Sequence, residues 1–263
     1  MRDVSPDRRG IVIAAYLPII AMTGALLLIS WSRGKERERS ASSSSASSSV
    51  VAGRPSSEGS SVRDSAAWRG KIRAFAEAHL QHTAWGPAHG QRDYEMTLRL
   101  AREEGVTVDE EALYAAAYLH DMGGIPPYAV PGVDHGDRSV QLVDSILRDA
   151  GFPMEKATLV KEIIDHHQYY RPADTLEVAK LFRDADILDF LGAIDVARII
   201  SLTTREKIAP DLPHAIAVIR QNMLQMPGLL QSSAAKQEGA RRVAEMKLFL
   251  DELGRETDSL RTL

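Results

Sequence analysis

The chain has 263 residues, with 32 Lys and Arg, 36 Asp and Glu, eight His and no Cys. Without thiols there is neither a disulfide scaffold nor a thiolate metal site, and 44% hydrophobic with 26% charged residues is a globular balance for one or two domains. Residues 1–65 hold nine basic and six acidic side chains, net +3, whereas residues 66–263 hold 23 and 30, net −7, so the body lacks the basic surface a general nucleic-acid binder needs and suits a cation site better.

A tail of residues 1–10 precedes the stretch from Ile11 to Trp31, which carries no charge and is long enough to cross the roughly 30 Å hydrocarbon core as a helix. It is expected to be a single-pass membrane anchor rather than a cleaved signal peptide, because the run exceeds a usual signal h-region and no small-x-small site follows. Arg2, Arg8 and Arg9 before it and Arg33, Lys35, Arg37 and Arg39 after it leave the orientation weakly biased toward a cytoplasmic body. Residues 32–65 follow; 13 serines between 40 and 65, with almost nothing to bury, predict a disordered tether.

From Ala66 the apolar residues recur at spacings of three and four, and no period-two strand appears, which predicts an all-α body. Helices are expected near 66–82, 88–104, 109–121, 135–150, 155–168, 174–202, 211–226 and 233–252. Gly105 and Gly123–Gly124 serve as stops, Asp109 to Glu111 favour a helix start, and Pro153 precedes the fifth helix. Residues 66–205 form the expected core. Residues 206–263, with Leu212, Ile216, Ile219 and Met223 spaced for packing, complete the bundle or form a homodimer face. The Pro/Gly segment from Gly123 to Asp134 cannot be helical throughout and lies between two histidine-bearing helices, where it is expected to wall a pocket.

The chemistry concentrates in His89, the pair His120 and Asp121, His135, the pair His166 and His167, and the run Asp184, Asp186 and Asp189. An Asp ending the apolar run ALYAAAYL is costly unless paired or metal-bound. Three carboxylates among Phe182, Ile187, Leu188 and Phe190 repel one another until a cation intervenes. Imidazole and carboxylate donors together suit a divalent ion of the Mn, Fe, Co, Ni or Zn type, with Mg also in range. His79 and His82 read as structural or surface residues.

This order of motifs resembles the HD-domain metal-dependent phosphohydrolase superfamily, whose signature is H…HD…D on a helical bundle. The matching positions are His89 in AHGQRDYEMTLRLAREEG, His120 and Asp121 in LYAAAYLHDMG, and Asp186 in LFRDADILDFLGAIDVARI, over about residues 70 to 205. The resemblance implies these four as metal ligands. Some members carry a metal histidine where Asp93 stands here, so Asp93 is kept as an alternative ligand or supporting partner. DHHQ, Asp165 to Gln168, looks like the second-ion motif of two-metal relatives, but the short spacings from Asp121 favour one ion. The implied reaction is hydrolysis of a small phosphorylated substrate, with Asp184 or His135 as base and His166 or His167 as acid. Lys161, Arg138, Arg171 and Arg198 are the basic side chains placed to offset phosphate charge. Alternatives are a di-iron oxygenase on the same fold and, behind it because all four core ligands are present, a non-catalytic membrane-tethered signalling module.

Overall fold

The spacing of three and four resolves into nine α-helices among the described residues of the computed structural model, 57–171 and 176–263, with no strand among them. In chain order these are α1 (Ser57–His79), α2 (Pro87–Glu104), α3 (Glu110–Leu119), α4 (His135–Ala150), α5 (Ala157–His166), α6 (Glu177–Asp189), α7 (Ala193–Ser201), α8 (Leu212–Gln225) and α9 (Ser233–Glu256). The expected anchor and most of the tether lie outside the described residues. Among the described residues, no helix is long and apolar enough to cross a membrane.

Local chemistry sets the helix ends. Pro87 occupies the first turn of α2, where its missing N–H costs nothing, and Gly105 closes that helix at φ 68°, its N–H donating to the Arg102 carbonyl. Asp109 caps α3 by accepting from the Glu111 and Ala112 amides at 3.0 Å, and Asp134 caps α4 through the Gly136 and Asp137 amides.

Two expected boundaries are corrected. Helix α1 begins at Ser57, so residues 57–65 are helical rather than part of a tether. The helix expected over 174–202 is two helices, because Gly192 takes φ 83°, a left-handed conformation open to glycine at little cost, and the chain turns there. That turn folds α7 back so that Arg198 reaches the end of α6.

The helices enclose two apolar clusters. One gathers Trp68, Ile72, Leu113, Leu119, Leu147, Ile163 and Phe182; the other gathers Leu100, Leu181, Ile187, Leu188, Ile199, Ile219 and Met246. Helix α6 packs along α2 and contributes to both clusters, so nearly every side chain from Val178 to Asp189 is buried. A helix buried all round is ordinarily apolar. This one carries Arg183, Asp184, Asp186 and Asp189 inside, and those charges need partners there.

Candidate metal centre

Short stretches of five helices deliver the polar groups to one point. His89 and Asp93 lie one turn apart in α2, His120 and Asp121 follow α3, His135 is the first residue of α4, His167 follows α5, and Asp186 sits within α6. Their convergence depends on backbone contact. A Cβ on Gly90 would lie 2.3 Å from the Ala117 carbonyl oxygen, so the absent side chain lets α2 rest directly on α3. His89 Nε2 then stands 3.3 Å from His120 Nε2.

Around these two nitrogens lie three carboxylates. Asp93 Oδ2, Asp121 Oδ2 and Asp186 Oδ1 are 3.2, 3.4 and 3.4 Å from His89 Nε2, and Asp121 Oδ2 is 3.3 Å from His120 Nε2. The second oxygen of Asp121 faces another pair: Oδ1 is 3.5 Å from His135 Nε2 and 3.9 Å from His167 Nε2, which stand 3.1 Å apart. The four residues implied by the HD-type resemblance are thus brought together, and Asp93, His135 and His167 join them.

The outer nitrogen of three imidazoles is tied to an acceptor. His120 Nδ1 donates to the Ala117 carbonyl at 2.9 Å, and His167 Nδ1 to the Ile164 carbonyl at 2.5 Å. His89 Nδ1 donates to Asp189 Oδ2 at 2.7 Å; that carboxylate also accepts from Arg92 at 2.8 and 2.7 Å and from Arg198 at 2.7 Å. A proton fixed on Nδ1 leaves the Nε2 lone pair directed inward, the arrangement in which metal-binding histidines are held by their second shell. Ring nitrogens and carboxylates meeting at about 3 Å need positive charge between them: against burial, the Asp93, Asp121 and Asp186 carboxylates raise His89 and the Asp121 carboxylate raises His120, so protons supply that charge until an ion takes their place. This donor set fits a divalent ion, and both Asp93 oxygens fit it further, being buried without a hydrogen-bond partner.

Protonation follows the same surroundings. Burial, reinforced by the Asp189 and Asp186 charges against the pull of His89, raises the Asp93 carboxyl to about 7. Burial and the facing His120 and His135 rings push His167 down to about 3, leaving it a neutral donor. Despite burial, His120 together with His89 and His135 holds Asp121 well below the usual carboxylate range, and Arg198 with Arg92 and His89 does the same for Asp189.

Several expected roles are corrected by geometry. Asp184 is fully buried but accepts from the Gln231 and Ser232 amides at 2.8 and 2.7 Å, anchoring the start of α9. It precedes Asp186 by two residues, roughly 200° around the helix, so it faces away from the cluster and is not placed as a base. Consecutive helical residues differ by roughly 100°, which separates His166 from His167. His166 is 37% exposed beside Asp165 and outside the cluster, so it is not placed as the acid.

The four basic candidates are engaged elsewhere. Lys161 pairs with Asp144, and Arg138 donates to the Tyr128 carbonyl and Gln141. Arg198 is buried on Asp189, and Arg171 bridges Asp134, Asp137 and Asp165. The Pro/Gly segment does wall a small cavity through Ile125, beside His120 and Asp121. His82 is structural as expected, its Nδ1 accepting from the Ala84 and Trp85 amides.

Arg92 goes unremarked in the sequence, and Asp189, expected within the crowded carboxylate run, has no assigned partner there; the structure joins both to His89, Arg92 through Asp189. The available signal was spacing, since Asp189 lies three residues after Asp186, near the same helix face. A cleft of about 340 Å³ borders Asp93 and Asp189 on this side, between Arg92, Arg99 and Arg242.

Comparison with family models matches residues 92–191 to the HD domain. The match includes Asp93, His120, Asp121 and Asp186 but starts after His89, so the His89 contribution comes from the turn preceding the matched region. No curated protein matches the chain. Among solved structures, the Bacillus subtilis protein YpgQ in complex with ADP is similar at TM-score 0.56 and 20% identity, covering 72% of this chain and 97% of that one. An HD-superfamily hydrolase from Bacillus thuringiensis is similar at TM-score 0.54 and 22% identity, covering 75% and 98%. A predicted HD-superfamily hydrolase from an uncultured Thermotogales bacterium gives 0.51 and 23%, covering 72% and 90%. At these identities the likeness is one of fold, and it extends beyond the matched residues to the helices that flank them.

Proposed function

We propose that the protein is a metal-dependent phosphohydrolase whose HD domain holds a divalent centre through His89, His120, Asp121 and Asp186. The observation that carries this reading is the convergence of three imidazole lone pairs, each fixed by an acceptor on its far nitrogen, upon three carboxylates. A divalent ion in such a site supplies Lewis acidity toward a phosphoryl oxygen and acidifies a bound water toward neutral pH. The protein's own part is to orient the donors and manage protons. His135, 19% exposed, is the most accessible of the four clustered histidines and is the retained candidate for proton transfer. Asp121 offers one oxygen to each histidine pair, so the donors suffice for two ions although the spacing alone favours one.

The test is a metal-supplemented screen of the full chain against a phosphoester panel, with metal analysis of the same sample. His120→Ala and Asp121→Ala are expected to remove both metal content and hydrolysis while keeping a helical spectrum; retained hydrolysis in both variants defeats the proposal. The two-sided Asp121 also suits two irons, and a di-iron oxygenase is the second reading. Two irons per chain together with oxygen consumption, in place of phosphate release, would establish it. Membrane attachment through residues 11–31 remains part of the proposal, with vesicle co-sedimentation of the full chain as its test.

A further inference from the structure

The two sides of Asp121 are chemically unequal. The inner side gathers His89 Nε2 and His120 Nε2 with oxygens of Asp93, Asp121 and Asp186. The outer side offers His135 Nε2 and His167 Nε2 with the other Asp121 oxygen. Thus the inner group supplies two nitrogens and three carboxylates, and the outer two nitrogens and one carboxylate.

Asp93 carries much of this difference. It is 1% exposed, Oδ2 lies 3.2 Å from His89 Nε2 and 3.8 Å from His120 Nε2, and neither carboxylate oxygen has a hydrogen-bond partner. Asp189, another deeply buried acid nearby, is by contrast saturated by His89, Arg92 and Arg198. A buried carboxylate left without donors while its neighbour is supplied by three is shaped for a cation rather than for the fold. Oxygen donors favour harder ions such as Mn²⁺ and Mg²⁺, and imidazole favours Zn²⁺, Co²⁺ and Ni²⁺.

We propose that the centre is metal-selective by position: Asp93 makes the inner group a carboxylate-rich site suited to a Mn²⁺-class ion, while the outer His135 and His167 pair suits a Zn²⁺-class ion. Because nearly every nitrogen and oxygen site binds Zn²⁺ more tightly than Mn²⁺ in absolute terms, the selectivity is relative. The inner group discriminates against Mn²⁺ less than the outer one does. The inference rests on the metal centre of the proposed hydrolase, but not on its substrate.

The test uses the full chain stripped with a chelator, with Mn²⁺ binding followed by electron paramagnetic resonance and Zn²⁺ binding by competition with a chromophoric chelator. The Zn²⁺ to Mn²⁺ affinity ratio is expected to be at least tenfold smaller at the inner site. Asp93→Asn, which keeps the shape, should weaken inner Mn²⁺ binding at least tenfold and leave outer Zn²⁺ affinity within twofold. Asp93→His should raise the inner Zn²⁺ to Mn²⁺ ratio at least tenfold. His167→Ala should remove the outer Zn²⁺ and leave inner Mn²⁺ binding within threefold. Unchanged Mn²⁺ affinity in Asp93→Asn, with helical circular dichroism retained, overturns the proposal, and so do equal ratios at the two sites. If Asp93→His does not fold, the isosteric Asn variant still decides. Selective metal binding without phosphoester cleavage defeats the hydrolase reading alone; hydrolysis that persists with no Asp93 effect on metal binding defeats this inference alone.

Discussion

Replacing Asp189 by Asn tests the support beneath His89 without changing side-chain volume. Asp189 accepts from His89 Nδ1, both Arg92 nitrogens facing it, and Arg198 Nη1. An amide offers one accepting oxygen, and its NH₂ would face one of these N–H groups, so at least one donor loses its acceptor. Arg198 is 4% exposed and would remain charged without its carboxylate, keeping the Asp189 main-chain carbonyl and the face of the Phe190 ring. Breaking a buried pair in this way costs about 3–5 kcal/mol, a large part of the ~5–15 kcal/mol that keeps a domain folded. Loss of the ionised partner also frees the His89 ring, and second-shell changes of this kind weaken metal binding about 10–100-fold. The assay is urea unfolding of the chelator-treated protein alongside competition titration of the same sample. Arg92→Gln is the graded comparison: Arg92 is 35% exposed, so about 1 kcal/mol or less is expected, with metal affinity within threefold. If Asp189→Asn binds metal within twofold of the parent and unfolds at the same urea concentration, the support role is refuted.

Gly90→Ala places a methyl 2.3 Å from the Ala117 oxygen and must part α2 from α3 by about 1 Å to restore ordinary contact; at least tenfold weaker metal binding with a helical spectrum is expected, and unchanged binding would show that the helices have slack. Asp184→Asn should cost about 1–3 kcal/mol in urea unfolding through the loosened Gln231 and Ser232 amides, with kcat/KM within threefold; a hundredfold loss of kcat would return Asp184 to a catalytic role. In the chelator-treated protein, Asp93 binds its proton more tightly folded than unfolded, with a folded value of about 7. Its contribution to stability therefore declines as pH rises from about 4 through 7. His167, at about 3 when folded, contributes in the opposite sense, with stability lost as pH falls from about 6.5 toward 3. The stability gain of Asp93→Asn over the parent should accordingly grow between pH 4 and 7, as read by urea midpoints; a gain that does not change with pH would contradict the buried, donor-free setting of Asp93.

Much of the helical framework follows from local chemistry. The start and stop of α4 are set by the Asp134 cap and by Gly151, residues whose preferences act within one turn, and the expected 135–150 matches the structure. His120, Asp121 and Asp186 stand out for a similar reason, since polar groups interrupting apolar runs cost too much to bury without partners, whereas His89 lies in a polar stretch and is implied as a ligand by the HD-type resemblance alone. The break at Gly192 is harder to read, because a single glycine in an apolar helical pattern is often tolerated and only the positive φ makes it a turn.

The sequence by itself determined an all-α body, most helix limits and which residue types would hold a cation, because periodicity, capping and the cost of buried charge act along the chain. Tertiary structure decided which of the polar groups meet. It turned Asp184 to the α9 amides while Asp186 faced the cluster, parted His166 from His167, and gave Asp189 to His89 and Arg198. It also left Asp93 buried without a donor. Those assignments depend on helix rotation and on the close approach of α2 to α3 at Gly90, which are fixed by packing between distant segments.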